Sequence, residues 1–269
     1  MTSKVKRTVR KTATFILSIL ILCTVFIMVA KYVKDKDAEE GYEVLREELY
    51  KSDDEAVSDS GYVLKRKTKD TETEKEGDQE TEKPVIDLDA LKRYMMQYPD
   101  MKGWITINDT HIDYPIVSSE TDNEYYLHRD IKGRYSSAGS IFLDNQQTLN
   151  TGYLHVIYGH HMKNHTMFRD VADFRDPSYY KEHSTGRVYT EDRIIELRPV
   201  YCYHAVQDGD YRKYMETPEE AGKFLSEKTG QNLPSGNYFV LVTCSYFTNN
   251  ERTYLILKDS TVKSSQISE

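Results

Sequence analysis

Two stretches near the C-terminus decide the fold, NYFVLVTCSY at 237–246 and RTYLILKD at 252–259. Both are short runs of β-branched and aromatic residues, and the polar residues TNNE at 248–251 lie between them. This pattern predicts two β-strands joined by a turn. Cys244 stands at the end of the first strand and Arg252 opens the second, so we expect both at a rim that a substrate can reach.

Six earlier runs have the same character: GWITIN (103–108), HIDYPIVSS (111–119), SAGSIFLD (137–144), YLHVIYGH (153–160), GRVYT (186–190) and IIELRPVYCYHAV (194–206). Turn residues separate them. Eight short strands within about 165 residues favour a β-barrel or a β-sandwich.

Two helices accompany the predicted strands. Apolar residues recur at helical spacing from Val85 to Met95, and Asp87 is placed to cap the start of that helix. A second helix lies between the sixth and seventh strands and should end at Gly230. Its start has an N-cap, a first-turn proline and a capping-box glutamate, namely Thr217, Pro218 and Glu220.

The N-terminal region has the composition of a membrane anchor. Residues 12–33 carry no charge before Lys31, and about 20 apolar residues suffice to cross a bilayer as a helix. A basic cluster within 1–11 predicts a cytoplasmic tail, which places the rest of the chain outside the cell. A cleavable signal peptide is the rival interpretation, but 28–34 offers no clear small-x-small cleavage site. The sequence therefore favours an uncleaved anchor.

The segment 34–83 is dense in charged and small polar residues, which predicts a charged extracellular stalk. Its part 38–50 is also compatible with a charged helix that continues from the anchor. We expect a globular domain at 84–260 and a polar C-terminal tail at 261–269.

Charge and cysteine usage narrow the function. The net charge of −8 argues against a nucleic-acid partner, because phosphate binding needs clustered Lys and Arg. Of three cysteines, Cys23 lies in the predicted anchor, so only Cys202 and Cys244 remain outside it. A disulfide framework would need more, and we expect one thiol to be kept for chemistry. Cys202 lies within an alternating strand and is interpreted as a small packed residue.

A catalytic cysteine needs a base and a cation, because a free thiol is mostly protonated at neutral pH. His160 or His161 is the candidate acid/base. Arg252 cannot act as a base, but its fork of donors suits a developing oxyanion. His155 and His204 lie within strands and are interpreted as packed or surface residues. The run YGHHMKNH lacks a closed set of metal ligands, so no metal is expected.

Several of these motifs together resemble a class B sortase over roughly 88–258. They are VIYGHHMKNHTMF (156–168), LVTCSY (241–246) followed by Arg252, IDYPIV (112–117), DNEYYL (122–127) and AGSIFLD (138–144). The resemblance implies a mainly β fold, a closed eight-stranded barrel. It also implies an N-terminal helix and a helix inserted between strands six and seven.

The resemblance also implies roles for individual residues. It makes Cys244 the nucleophile and Arg252 the oxyanion or substrate stabiliser, and it selects His160, which directly follows the glycine of YGH, as general acid/base. The residues matching the family's peptide groove are Asn123, Leu127 and Tyr158. Val242 and Ser245 depart from residues found in some members, which leaves the preferred sorting motif open.

The implied reaction is cleavage after a threonine in the C-terminal sorting motif of a secreted protein. The product is a thioester acyl-enzyme, which an amine on a peptidoglycan precursor or a pilin-like protein resolves. No cofactor is implied. Two alternatives remain: a cysteine peptidase that only hydrolyses, and a non-catalytic, stalked surface-binding β-barrel.

Overall fold

The computed structural model describes residues 3–50, 85–207, 209–244 and 251–261. Within them, four α-helices are present: α1 Ser3–Tyr50, α2 Leu88–Gln97, α3 Pro177–Glu182 and α4 Pro218–Thr229. Eight strands accompany them in the same residues: β1 Met101–Ile107, β2 Asp113–Val117, β3 Ile141–Leu143, β4 Leu154–Tyr158, β5 Gly186–Tyr189, β6 Ile194–Val206, β7 Tyr238–Cys244 and β8 Glu251–Asp259. Every strand that the sequence predicts is found.

The strands close into a barrel in the order β1-β2-β3-β4-β7-β8-β6-β5. β2 runs parallel to β3 and β4 runs parallel to β7, while the other neighbouring pairs are antiparallel. The prediction of a closed eight-stranded barrel is confirmed, and the sandwich is excluded. Closure leaves no open sheet edge, which is one way that β-proteins avoid edge-to-edge association.

Both predicted helices form, with the predicted caps. The Asp87 side chain accepts hydrogen bonds from the backbone N–H groups of Asp89 and Ala90 at the start of α2. Thr217 and Glu220 form a complete capping box at the start of α4, which lies between β6 and β7. Gly230 ends α4 in the left-handed conformation, with φ of 69°. Short-range sequence signals therefore located these helices because their caps are local interactions.

Other helical segments were not predicted. They are α3 and three short 3₁₀ helices, Tyr125–His128, Asp170–Arg175 and Gly209–Tyr211. Each is six residues or shorter, too short for an apolar period to be recognised. The segment Tyr125–His128 proves important, because it lies beside the candidate site.

The first part of the region predicted as stalk forms the helix that was considered for 38–50, but this helix packs on the barrel. α1 continues without interruption from the apolar segment to Tyr50, and its last turns pack on the barrel. The packed face consists of Ala38, Tyr42, Leu45 and Leu49, each 5% exposed or less. These residues are three or four apart, so they share one helical face. The composition of the segment does not reveal this apolar face, because charged residues on the other faces dominate it. Residues 51–83 lie outside the described residues.

Polar contacts reinforce this packing. Asp113, at the start of β2, accepts hydrogen bonds from the Tyr50 hydroxyl and from the indole N–H of Trp104. The Arg46 side chain donates to the Asp113 backbone carbonyl at 2.9 Å and lies over the Tyr114 ring. The end of α1 is thus part of the folded domain.

The apolar part of α1 after Arg10 is exposed, and its length and composition are sufficient to cross a membrane. This agrees with the anchor predicted at 12–33.

A cavity of 690 Å³ lies between α1 and the barrel, but neither His160 nor Arg252 lines it.

Candidate active site

Cys244 and Arg252 occupy opposed positions on neighbouring strands. Cys244 is the last residue of β7, and its backbone pairs directly with Arg252 in the antiparallel β7–β8 ladder. The Arg252 guanidinium is partly buried and held from one side, since Nη2 donates to the Gln207 side chain at 3.0 Å and Nη1 to the Glu251 carbonyl at 3.1 Å. The Cys244 side chain and residues 245–250 lie outside the described part of the chain.

β4 brings His160 to the same end of the barrel. Tyr158 pairs with Val242 in the parallel β4–β7 ladder, and the Gly159 N–H donates to the Val242 carbonyl at 3.1 Å. His160 and Cys244 each follow these paired residues by two positions. Two parallel neighbours deliver both residues to one rim, because their carboxyl ends point the same way.

A backbone hydrogen bond orients the His160 ring. Its Nε2 lies 2.8 Å from the Leu127 carbonyl oxygen, which can only accept a hydrogen bond. Nε2 therefore carries the proton, and in the neutral ring Nδ1 is the nitrogen that can take up another. The chain after the ring is also tied back, since the Phe168 N–H donates to the His160 carbonyl at 2.9 Å.

The surroundings of His160 lower its pKa below the ordinary value of 6.5. Burial is the main cause, and the neighbouring charges of His128 and Arg252 add to it, while the hydrogen bond to Leu127 acts in the opposite direction. The His128 ring is stacked on the His160 ring, with 5.3 Å between centroids.

The other candidates range from buried His155 to exposed His204. Burial raises the pKa of the Cys202 thiol to about 12, so this thiol stays protonated at neutral pH. His155 is 1% exposed inside the barrel wall, and His204 lies within β6 opposite Thr253. The backbone of His161 pairs with Met167 in an isolated bridge.

Two of the three residues expected in the peptide groove form hydrogen bonds with the two residues that follow β3. The Asn123 side chain accepts a hydrogen bond from the Asn145 N–H at 2.9 Å. The Tyr158 hydroxyl donates to Asp144 at 3.2 Å, and burial, followed by the Asp144 charge, raises the pKa of Tyr158. Leu127 follows Tyr126 in the 3₁₀ helix beside His160. Leu127 and Tyr158 lie beside His160, the first through its carbonyl and the second two residues earlier on β4, whereas Asn123 is bound to the residue that follows Asp144 after β3.

Sequence reasoning missed several residues that contact the predicted site residues. Asp144 has a fully buried carboxylate that forms an ion pair with Arg212 at 3.0 Å, from the connection between β6 and β7. His128 stacks on His160, and Gln207 holds Arg252. A buried carboxylate needs a partner, but one sequence cannot show which distant cation supplies it. Within the described residues, no group of three or more His, Cys, Asp or Glu side chains could hold a metal ion.

Known proteins share this architecture. Sortase B of Listeria monocytogenes serovar 1/2a (strain ATCC BAA-679 / EGD-e) is 41% identical over 189 residues, which is 65% of this chain and 74% of that protein. The structure of Clostridium perfringens sortase B superposes with a TM-score of 0.56 at 26% identity, covering 64% of this chain and 100% of that one. A Staphylococcus aureus sortase B–substrate complex gives 0.58 at 22% identity, covering 65% and 86% of the two chains. No protein-family model matches the chain.

The closed barrel, together with these relatives, defines the protein as a sortase-type cysteine transpeptidase. More particularly, the chain belongs to the class B sortases.

Proposed function

We propose that Cys244, His160 and Arg252 form the catalytic centre of this transpeptidase, and that its substrates are secreted proteins with a C-terminal sorting motif. The observation that carries the proposal is the strand register. It pairs the Cys244 backbone with Arg252, and the parallel β4–β7 pair brings His160 to the same rim.

In the acylation step, the Cys244 thiolate attacks the carbonyl carbon of a threonine in the substrate. An S–C bond forms, and the C–N bond to the next residue breaks. The leaving amine takes a proton, which the His160 imidazolium supplies from Nδ1, since Nε2 is engaged by the Leu127 carbonyl. A nearby cation also favours the thiolate form of a cysteine.

Arg252 stabilises the negative oxygen that develops when the carbonyl is attacked. Its guanidinium stays protonated at every working pH and is anchored by Gln207 and Glu251, so little reorganisation is needed when the charge appears. Asn123, Leu127 and Tyr158 line the peptide groove. The contact of the Leu127 carbonyl with His160 and the place of Tyr158 two residues before His160 support that role for these two residues.

An amine then attacks the thioester carbonyl: a C–N bond forms, the C–S bond breaks, the amine's proton passes to Nδ1 of neutral His160, and Cys244 leaves as the thiolate. The acceptor is an amine on a peptidoglycan precursor or on a pilin-like protein. Residues 1–11 are cytoplasmic, 12–33 cross the membrane once, and the catalytic domain is outside the cell. A membrane anchor holds enzyme, sorting substrate and lipid-linked acceptor at one surface, which raises their effective concentration.

The first experiment separates transfer from hydrolysis and from binding alone. The full chain in detergent micelles is incubated with a panel of Thr-containing peptides that vary around the threonine, with or without triglycine. We expect a thioester adduct by mass spectrometry and an amide product when triglycine is present. Hydrolysis alone in the presence of triglycine would support a peptidase, and no adduct with any peptide would support a binding barrel.

The second experiment assigns the nucleophile. Cys244→Ala should abolish the adduct, whereas the matched variant Cys202→Ala should keep it, because the Cys202 thiol is buried and protonated. An adduct that persists in Cys244→Ala would place the nucleophile elsewhere. His160→Gln and Arg252→Gln should each lower the acylation rate by about 100-fold or more, a typical effect of losing an acid/base or an oxyanion donor.

A further inference from the structure

The anchor helix α1 contacts a segment that leads to the candidate active site. Asp35 accepts two hydrogen bonds from Ser137, from its N–H at 2.8 Å and from its hydroxyl at 2.6 Å. Two turns further along α1, the Tyr42 hydroxyl lies 2.8 Å from the Ser140 hydroxyl and donates to the Gly139 carbonyl at 3.3 Å. α1 therefore holds both halves of segment 136–140, directly before β3.

Segment 136–140 in turn holds the 3₁₀ helix Tyr125–His128. The Ser140 N–H donates to the Tyr126 carbonyl at 3.0 Å, and the Ser136 N–H donates to the His128 carbonyl at 3.1 Å. Gly139 lies between these two contacts, with φ of 60°, and a Cβ there would come within 2.3 Å of the Leu127 carbonyl oxygen. The backbone of the 3₁₀ helix is thus fixed on both sides of Leu127.

The carbonyl that lies between these two contacts is the one that orients His160. Leu127 O accepts the hydrogen bond from His160 Nε2 at 2.8 Å. Its position is set by the peptide groups before and after it, and those are the groups that segment 136–140 binds. A short series of hydrogen bonds therefore leads from α1 to the His160 ring.

A second route starts from the same tyrosine. The Tyr42 ring packs edge-on against the Tyr114 ring, with 5.7 Å between centroids. The Tyr114 hydroxyl accepts a hydrogen bond from the Met167 N–H at 3.0 Å, and the next residue, Phe168, donates to the His160 carbonyl. Tyr42 is 2% exposed, so both contacts are shielded from water. The two routes approach His160 from its ring and from its backbone.

We propose that Tyr42 is a positioning residue for His160, and that the anchor helix thereby sets the placement of the catalytic imidazole. This inference rests on the proposed role of His160. The anchor then has a second task besides tethering: the helix that leaves the membrane is also a support of the active site. A misplacement of about 1 Å can cost on the order of 100-fold in rate, so a small shift of Leu127 is enough to matter.

The chain offers a matched control on the same helix. Tyr50 also donates its hydroxyl from α1 to the barrel, but its acceptor is Asp113, outside both routes from Tyr42 to His160. Tyr42→Phe and Tyr50→Phe each remove one hydroxyl and keep the ring. A purely structural role predicts similar effects of the two variants on activity, whereas the positioning role predicts an effect of Tyr42→Phe alone.

Acylation of a reactive Thr-containing peptide is measured for the full chain in detergent micelles. We expect Tyr42→Phe to lower the maximal acylation rate roughly 10-fold, with KM changed less than about 2-fold, because the reacting geometry and not peptide binding is altered. Tyr50→Phe should retain the wild-type rate. Ser140→Ala should reproduce at least this loss, because its hydroxyl also donates to the Arg129 carbonyl at 2.8 Å. The double variant with Tyr42→Phe should lose little more than Ser140→Ala, since the Tyr42 hydroxyl acts through Ser140.

A spectroscopic readout separates this inference from the proposed function. The ¹⁵N resonance of His160 Nε2, assigned by its loss in His160→Gln, reports the hydrogen bond to Leu127 without any catalysis. Tyr42→Phe should shift this resonance and Tyr50→Phe should not. An unshifted resonance in Tyr42→Phe, or equal rate losses in the two tyrosine variants, would overturn the positioning role. If Tyr42→Phe shifts the resonance but the wild-type protein forms no acyl-enzyme, the proposed function of His160 is refuted instead.

Discussion

Lowering the pH should destabilise this protein through His155, a residue outside the proposed catalytic centre. His155 lies within β4 with 1% of its surface exposed. Its Nε2 lies 2.8 Å from the Asn237 side-chain oxygen, and its ring centroid is 4.5 Å from that of Phe239. Burial lowers the pKa of His155 from 6.5 to about 4, because an imidazolium would lose its hydration in the barrel wall.

The size of the effect follows from the difference between the folded and unfolded pKa values. Above pH 7.5 the His155 ring is neutral in both the folded and the unfolded chain, so the free energy of unfolding does not change. As the pH falls through 6.5, His155 becomes protonated in the unfolded chain but stays neutral in the folded chain. The free energy of unfolding therefore decreases. With a folded pKa of about 4, the loss is about 2 kcal/mol at pH 5 and approaches about 3 kcal/mol below pH 4.

Urea unfolding of the full chain in detergent micelles at pH 7.5 and pH 5 measures this loss. The single tryptophan, Trp104, is fully buried in β1 and reports unfolding of the barrel by its fluorescence. Other groups also titrate in this range, so the comparison is with His155→Gln, which keeps a donor for Asn237 and has no titrating ring. Wild type should lose about 2 kcal/mol more than the variant between the two pH values. Equal losses would refute the reasoning.

Three substitutions test the fold around the site. Gly139→Ala would place a Cβ 2.3 Å from the Leu127 carbonyl oxygen at positive φ, so we expect at least about 2 kcal/mol of destabilisation by urea unfolding; a neutral result would contradict the close approach. Thr217→Ala removes the capping box of α4 and should cost about 1 kcal/mol, or roughly 3 °C in Tm by calorimetry, where an unchanged Tm would argue against the cap. Arg212→Met leaves the buried Asp144 carboxylate without its cation and should cost about 3 kcal/mol in urea, with Arg212→Lys losing less; identical stabilities of the two variants would count against the ion pair.

Much of the site could be predicted from the sequence because its signals are local. Cys244 ends an apolar run and Arg252 opens the next, so their juxtaposition follows from two adjacent antiparallel strands. His160 could be chosen over His161 only through the family resemblance. The hydrogen bond between His160 and Leu127 joins residues 33 positions apart, so no local sequence pattern predicts it.

The end of α1 shows the opposite case. Its composition suggested a solvated stalk, because charged residues dominate the average over 34–50. Four apolar residues on one face were enough to pack the helix on the barrel, and Asp35, Tyr42, Arg46 and Tyr50 add polar contacts to it. Packing depends on the partner surface, which an average over the sequence does not contain.

By itself, the sequence determined the strands, the caps of α2 and α4, the apolar N-terminal segment and the residue types of the proposed catalytic centre. These depend on alternation, capping and composition, which act over a few residues. Only the tertiary structure decided that β4 lies beside β7, that Asp144 meets Arg212 and that α1 reaches toward His160 through Tyr42. Those contacts join residues far apart in the chain, and they form only once the barrel closes and buries the surfaces that they share.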